Sequence, residues 1–268
     1  MKSETKHTKN GYSPYKTASG ITLYRSGITF KGKHISLGSY SSKESAAQAF
    51  SEANLLLRNP DSFPPFSHIR ALPYEKYIIL KNLHDNGLYF KTPIYLLKKS
   101  FEYHLDQNTI FVFDIDDMFF YSSHKIMKRG NHYFYADYGM QVNLYSKYGI
   151  KSYAKLNRDY RYRNDNPFDL RYENVEIINP YIGVTKETGP NGEYYLSKIH
   201  IKGNYIIGKY DTLTEAAIAY NKAVDILKKR GINKNYGTNY IEDLSPLTYA
   251  EIYSNLHISS KIINYRKE

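Results

Sequence analysis

The chain has 268 residues, enough for two or three small domains, and its 37 Lys and Arg against 26 Asp and Glu give a formal charge of +11. This excess suits a polyanionic partner, either nucleic acid or an anionic membrane surface. The absence of cysteine excludes disulfides, thiolate zinc sites and cysteine nucleophiles, and it favours an intracellular protein. The N-terminal residues lack the apolar core of a signal peptide, and no segment is apolar enough to span a bilayer, so we expect a cytoplasmic protein.

The first part of the chain predicts an arm followed by a small sheet and a helix. Residues 1–16 are polar and basic without periodicity, which indicates a flexible arm. In residues 17–58, two predicted strands, Tyr24–Lys31 and His34–Tyr40, are joined by a Lys-Gly-Lys turn. Ser41 and Glu44 have the spacing of a helix capping box, and an apolar stripe follows at helical spacing, formed by Ala46, Phe50, Ala53 and Leu57.

The remaining chain divides by composition. Residues 59–73 carry four prolines and predict a linker. Residues 74–180 are rich in Tyr, Phe and Ile and predict a middle domain, in which 74–83 forms a short helix or strand and 110–114 and 132–137 form strands. Residues 181–240 predict a second sheet and helix, with Thr212 and Glu215 as capping box, and the tail at 241–268 contains a helix from Pro246 to Leu256.

The chain repeats itself. Tyr194–Leu227 follows the same order as Tyr24–Leu57: strand, Lys-Gly turn, strand, Gly-x-Tyr, and a helix that begins with Ala-Ala-x-Ala-aromatic. The first copy carries one added residue between Gly32 and Gly38, which must be allowed for to keep both ends in register. An internal repeat of this length predicts two copies of one structural module.

The second copy resembles the DNA-binding domain of plant ethylene-response factors (the apetala-two type) and the related arm-binding domains of phage integrases and homing endonucleases. The resemblance rests on Gly183-Val184, Lys198-Ile199, the run 207–212, the run 215–223 and Asn239-Tyr240. The first copy lacks a clear first strand and the closing Asn-aromatic pair. The resemblance implies a three-stranded antiparallel sheet in the DNA major groove with the helix packed behind. We therefore expect an α+β protein in which two such sheets, each backed by one helix, flank a mixed α+β middle domain.

Strand alternation assigns the groove-facing residues. In the second copy it sends Tyr195, Ser197 and Ile199 toward the helix, so that Tyr194, Leu196, Lys198 and His200 face outward. The expected DNA contacts of the two copies are Arg25, Thr29, Lys33, His34, Ser39, Thr185, Lys186, Lys198, His200, Asn204 and Lys209. The plant domains carry several arginines where this chain has Thr185, Glu187 and Asn204, so their base preference does not transfer.

The run Asn166–Val175 resembles the end of the HNH endonucleases that accompany such DNA-binding domains, where Asn-x-x-Asp-x-Arg-x-x-Asn is typical. In active members an Asp-His pair and an earlier His hold a divalent metal and deprotonate water. Here the pair falls on Arg161-Tyr162, and residues 151–156 contain no His. We therefore expect a degenerate module with no catalytic residues, metal or other cofactor, which contacts the DNA backbone through Lys155, Arg158, Arg161, Arg163 and Arg171.

Together these features predict a double-stranded DNA-binding regulator or accessory factor of phage or mobile-element origin, associated with the nucleoid and without a membrane partner. The first alternative is an HNH-type homing or nicking endonuclease that uses Mg²⁺ or another divalent ion with His104, His124 or His132. The second alternative is a non-catalytic module that binds another protein. Residues 110–117 mimic the Asp-x-Asp strand of haloacid-dehalogenase-type phosphatases, but Met118 stands where Thr is expected.

Overall fold

A computed structural model describes residues 11–59, 63–190, 192–232, 234–242 and 244–266. The chain is α+β and divides into two compact units. The first unit holds the chain up to Tyr148 together with Tyr162–Val175, and the second holds Gly149–Arg161 and the chain from Glu176 onward. None of the helices in the described ranges is long and apolar enough to cross a membrane.

The first repeat forms a three-stranded antiparallel sheet with a helix behind it. Strands β1 (Tyr12–Lys16), β2 (Thr22–Phe30) and β3 (Lys33–Tyr40) lie in that order and precede helix α1 (Lys43–Arg58). Lys31 and Gly32 both have positive φ, as the two-residue hairpin turn of this twist requires. The apolar stripe of α1 packs on the sheet through Ala49 and Ala53, because alanine lets a helix lie close to the strands.

Two predictions for this segment are wrong. Part of the predicted arm is β1, which pairs with β2 from Tyr12↔Ser26 to Lys16↔Thr22, while residues 1–10 lie outside the described ranges. Pro14 hid this strand from sequence reasoning, but proline is tolerated here because β1 is an edge strand. The helix cap is Ser42, whose side chain accepts the Ser45 N–H, and not the predicted pair of Ser41 and Glu44.

The predicted linker at 59–73 packs against the first repeat in its described part. Leu72 is buried, and the carboxylate of Glu52 on α1 accepts the backbone N–H groups of Arg70, Ala71 and Leu72 at 2.9–3.2 Å. Helix α2 (Tyr74–Asn86) follows and adds its apolar side to the same core as the sheet. The predicted boundary between residues 73 and 74 therefore does not separate two domains, because both sides of it share one core.

The rest of the first unit contains two further antiparallel sheets. Strands β4 (Ile94–Leu96), β5 (Ser100–His104) and β6 (Ile110–Asp114) form one sheet. After the short helix α3 (Met118–Ser123), strands β7 (Met127–Arg129), β8 (His132–Asp137) and β9 (Met140–Asn143) form the other. The predicted strands at 110–114 and 132–137 are confirmed. Strands β10 (Tyr160–Tyr162) and β11 (Val175–Ile177) pair with each other, and the division between the units falls within both.

The second unit contains the second repeat and two added helices. Strands β12 (Val184–Gly189), β13 (Gly192–His200) and β14 (Asn204–Tyr210) form its antiparallel sheet, backed by α4 (Leu213–Lys229). The capping box of Thr212 and Glu215 is present as predicted. Helices α5 (Pro246–Asn255) and α6 (Ser260–Ile263) follow, and α5 confirms the helix predicted for the tail. The predicted fold class, two small three-stranded sheets each backed by one helix, is confirmed.

The two copies of the sequence repeat also share a structure, including an irregularity in strand pairing. In both sheets the pairing of the middle strand with the third strand shifts directly after a buried serine of the middle strand, Ser26 or Ser197, and that serine lies opposite a glycine. The extra residue belongs to the third strand, Leu37 in the first sheet and Ile207 in the second. The added residue of the first copy lies in the hairpin turn: four residues separate the Thr29↔His34 pair, whereas three separate His200↔Asn204.

A pair of asparagines closes the second module. Asn221 on α4 donates to the backbone carbonyl of Asn239 at 2.8 Å and accepts its N–H at 2.7 Å. The Asn239 side chain in turn accepts the N–H of Ile182 at 2.6 Å and donates to its carbonyl at 3.1 Å. The Asn of the closing Asn-aromatic signature therefore ties the segment after α4 to the start of the sheet. The first copy has Ser51 where the second has Asn221, so this clasp belongs to the second module.

Candidate nucleic-acid interface

The first sheet presents a polar, acid-free face on the side away from α1. The strand register places Arg25 opposite Ser13 and Ser39, and Thr29 opposite His34. Four side chains predicted to contact DNA lie on this face and are exposed: Arg25, Thr29, His34 and Ser39. Their alternation with the buried Ile28 and Ile35 is the period-two pattern expected of a sheet with one covered side.

A tyrosine supports the arginine on this face. The Arg25 guanidinium carbon lies 3.9 Å from the ring centroid of Tyr15, within the range of a cation–π contact. The Tyr15 hydroxyl donates to the Ser39 hydroxyl at 3.2 Å. Sequence reasoning missed Tyr15 because its strand was assigned to the arm. This contact places the guanidinium over the Tyr15 ring on the outer face of the sheet.

Lysines extend the positive charge beyond the end of the first sheet. Lys33, in the exposed turn, has its ammonium 5.4 Å from the ring centroid of Tyr89. It also lines a groove of about 660 Å³ within the first unit, together with Lys91 and Lys125. Lys125 is 2.6 Å from the carboxylate of Glu75, whereas Lys33 and Lys91, the other cations of the groove, form no ion pair with a described residue.

The outer face of the second sheet is more mixed. Its cross-strand pairs are Thr185↔Leu196↔Lys209, Glu187↔Tyr194, Lys198↔Ile206 and His200↔Asn204. The Lys209 ammonium lies 4.6 Å from the ring centroid of Tyr194, and His200 Nδ1 is 3.0 Å from the Asn204 side-chain oxygen. Ile206 is 52 % exposed, whereas Leu196, which shares this face, is only 7 % exposed.

Lys186 is not on this face. It lies opposite Tyr195, on the side of the sheet that carries α4, and its ammonium is 2.5 Å from the Glu193 carboxylate. The prediction that Lys186 joins Thr185 in contacting DNA is therefore wrong, because adjacent strand residues point to opposite faces.

Three arginines of the predicted HNH-like module pair with carboxylates of the protein. Arg158 pairs with the buried Asp159 at 2.5 Å, Arg161 with Glu176 at 3.0 Å, and Arg171 with the buried Asp169 at 2.7 Å. The division between the units also separates the set: Lys155, Arg158 and Arg161 belong to the second unit, and Arg163 and Arg171 to the first. The predicted basic patch is therefore not one surface of one unit, and three of its arginines have a structural partner.

The HNH-like signature forms a closed hydrogen-bond network. Asp169 accepts from the Asn164 side chain at 2.7 Å and from Arg171 Nε at 2.9 Å, and its backbone carbonyl accepts from Asn174 at 2.7 Å. Burial opposes ionisation of Asp169, but the hydrogen bonds from Arg171 outweigh it and lower the pKa of the carboxyl below its usual value. The signature residues hold a turn and present no free carboxylate to a metal.

The histidines of the nuclease alternative have separate environments. His104 is buried between the Tyr74 hydroxyl and the Glu102 carboxylate, each at 2.9 Å. His124 stacks on Phe120 with ring centroids 4.0 Å apart, and His132 is exposed on β8. Within the described ranges no group of three or more His, Asp and Glu side chains is arranged to hold a metal ion.

No protein-family model, curated protein or solved structure matches this chain. The resemblances to ethylene-response-factor domains and to HNH endonucleases therefore stay predictions. The two sheet faces carry the functional inference.

Proposed function

We propose that this chain binds double-stranded DNA through the outer faces of its two repeat sheets. The observation that carries the proposal is the stack of a cation on a tyrosine on each face, Arg25 on Tyr15 and Lys209 on Tyr194. Two- and three-stranded sheets fit the major groove, where flat, preorganised donors read base edges. The chain's net charge of +11 supplies the long-range attraction to a polyanion.

The other residues of the two faces divide by the DNA groups they suit. Arg25, His200 and Asn204 offer donors to base edges, and the exposed Ile206 offers an apolar contact to a thymine methyl group. The hairpin turns carry Lys31, Lys33 and Lys202 at the ends of the sheets, where phosphates would pass. Glu187 is the acid of the second face, and its carboxylate accepts a hydrogen bond from the Thr185 hydroxyl at 3.2 Å. A carboxylate at this place favours a base donor beside it, such as the cytosine amino group.

The proposal describes a binder without nuclease activity, either a regulator or an accessory factor. Three of the arginines predicted to contact phosphate are engaged by carboxylates, so the two sheets are the principal contacts. An origin in a phage or mobile element and a place at the nucleoid rest on the family resemblance alone.

The test compares two triple variants with the same net charge. The sheet variant carries Arg25→Gln, Lys198→Gln and Lys209→Gln; the control variant carries Lys43→Gln, Lys228→Gln and Lys229→Gln on exposed helix positions. Fluorescence polarisation measures the dissociation constant of a labelled duplex across a salt series. Each lost phosphate contact lowers the slope of log K against log [salt] by about 1, and we expect this for the sheet variant with a 10–100-fold weaker Kd at about 50 mM salt.

Equal losses in the two variants would show that binding depends on net charge and not on the sheets. No duplex binding by the unaltered chain at low salt would contradict the proposal and leave the protein-interaction alternative. Circular dichroism of both variants confirms that they are folded.

A further inference from the structure

The second unit contains a cavity of about 360 Å³ next to the outer face of its sheet. Its walls come from the segment 149–160, from residues 177–185, from Lys198–His200 of β13 and from Tyr220 of α4. Thr185, Lys198, His200 and Asn204, which belong to the proposed DNA-binding face, also line it. The volume lies within the range of small-ligand pockets, which begins at about 300 Å³.

Tyr220 brings an unpaired hydroxyl to this cavity. The residue is only 5 % exposed, and its hydroxyl makes no hydrogen bond to any described residue. Burial raises the pKa of Tyr220 to about 12, so the hydroxyl keeps its proton and can donate. Because Tyr220 lines the cavity, this hydroxyl is a donor for a molecule bound there.

The first repeat shows that the fold does not need this hydroxyl. Its equivalent of Tyr220 is Phe50, and in both copies the ring packs against a glycine, Gly11 or Gly183, where an added Cβ would lie within 2.4 Å of ring atoms. The peptide carbonyl of that glycine accepts the N–H of Gly27 or Lys198 in the two copies. The two modules thus use the aromatic ring in the same way, and the hydroxyl is an addition of the second.

The charges of the lining favour an anion. Lys151, Arg158 and Lys198 line the cavity, and its one carboxylate, Asp159, is held by Arg158 at 2.5 Å. Lys151 donates to the backbone carbonyl of Pro180, and neither it nor Lys198 forms an ion pair with a described residue. Burial lowers the pKa of Lys151, as expected for an ammonium group that no carboxylate stabilises.

The remaining walls are aromatic and apolar. Tyr153, Tyr160, Tyr181 and Tyr220 line the cavity together with aliphatic side chains such as Ile150 and Ile177. Planar bases stack on tyrosine rings, and lysine ammonium groups bind phosphate. We propose that this cavity binds a single nucleotide, with the base among the tyrosines and the phosphate at Lys151 and Lys198. The nucleotide is either free or extruded from a bound duplex, and the second source rests on the proposed function.

The first experiment uses free nucleotides and the full chain. Isothermal titration calorimetry with the four deoxynucleoside monophosphates and the four corresponding nucleosides compares the unaltered chain with Tyr220→Phe, Ala154→Phe and the control Tyr205→Phe. We expect at least one monophosphate to bind about ten times more tightly than its nucleoside. Tyr220→Phe should weaken binding about fivefold, the effect of one hydrogen bond, and Ala154→Phe should abolish it by filling the cavity, whereas Tyr205→Phe should change nothing.

The second experiment tests the extruded source with duplexes that carry one 2-aminopurine at successive positions. Extrusion should raise its fluorescence with the unaltered chain and not with Ala154→Phe, while polarisation follows duplex binding in the same samples. Monophosphate binding alone supports a free nucleotide, and the fluorescence signal alone supports an extruded one. If both signals are absent while the chain still binds duplex, the nucleotide site is overturned and the proposed function stands. If a monophosphate binds but duplex does not, the proposed function is overturned and the nucleotide site stands.

Discussion

Residue 52 of α1 and residue 222 of α4 occupy the same place in the two repeats and carry opposite charges. Glu52 accepts three backbone N–H groups just before α2, and Lys222 donates to the backbone carbonyls of Tyr253, Ser254 and Leu256 at the end of α5. A carboxylate accepts N–H groups and an ammonium group donates to carbonyls, so the sign of each charge matches the backbone groups that it holds. One position therefore docks a different added helix in each module.

Glu52→Gln tests this role in the first unit. The neutral amide loses the charge-assisted hydrogen bonds to the segment at 70–72, and we expect the free energy of unfolding to fall by about 1–3 kcal/mol. Urea denaturation followed by circular dichroism measures the change, with Glu44→Gln as an exposed control on the same helix. If both substitutions have the same effect, the carboxylate does not hold the segment.

Asp169→Asn tests the HNH-like network. The folded pKa of Asp169 is lowered, so its ionised form stabilises the protein above the unfolded value of about 4, and this contribution disappears as the pH falls through the folded pKa. Loss of this buried charge beside Arg171 should cost about 2–4 kcal/mol at pH 7. Calorimetric unfolding from pH 7 to pH 3 should show the difference from the unaltered chain shrinking below pH 4. A difference that does not vary with pH would contradict the assigned ion pair.

At the scale of elements, the two modules share a sheet and helix but are closed by different means. The second uses the clasp of Asn221 and Asn239, in which side-chain amides satisfy buried backbone groups on both partners. The first has Ser51, exposed on α1, at the corresponding position.

Asn221→Ala removes the clasp while leaving the sheet intact. The backbone N–H and carbonyl of Asn239 lose their partners, and we expect a loss of about 2–3 kcal/mol in the free energy of unfolding. Ser51→Ala is the matched control and should change stability by less than about 0.5 kcal/mol. Hydrogen exchange of the amide of Asn239 provides a local readout; unchanged protection in Asn221→Ala would contradict the clasp.

The elements that could be predicted from sequence are those whose pattern is local. Strands β2, β3, β6 and β8 alternate, and α1, α4 and α5 have caps and apolar stripes. The errors concern features that depend on contacts between residues distant in the sequence. Pro14 masks β1, Leu72 joins the supposed linker to a core built by distant residues, and the partners of Arg158 and Arg171 are decided by how the turns fold. Tyr15 and the cavity at Tyr220 were missed for the same reason.

For the whole molecule, the central point is that one chain carries two sheets of one design. Two tethered binding faces gain affinity through effective concentration whenever a single duplex is long enough to engage both. Net charge alone would give an affinity that rises smoothly with duplex length.

The dependence of affinity on duplex length therefore distinguishes joint binding by the two sheets from attraction by net charge alone. The unaltered chain should show a step of about 100-fold or more in affinity at the length that accommodates both sheets. The variant Arg25→Gln, which disables the first face, should follow the curve of short duplexes without the step, and Lys43→Gln should keep it. Polarisation with a series of duplexes from 8 to about 40 base pairs makes the measurement. A smooth curve for the unaltered chain would show that the faces do not act together.

The most direct test of the sheet faces is ultraviolet cross-linking of the full chain to a bromodeoxyuridine-substituted duplex, with the adducts mapped by mass spectrometry. The proposed function predicts adducts in both sheets, at or beside Tyr15 and Arg25 in the first and Tyr194 and Lys209 in the second. Peptides from the exposed sides of α1 and α4 should carry none. Adducts confined to residues 74–180, or adducts on the helices in place of the sheets, would contradict it.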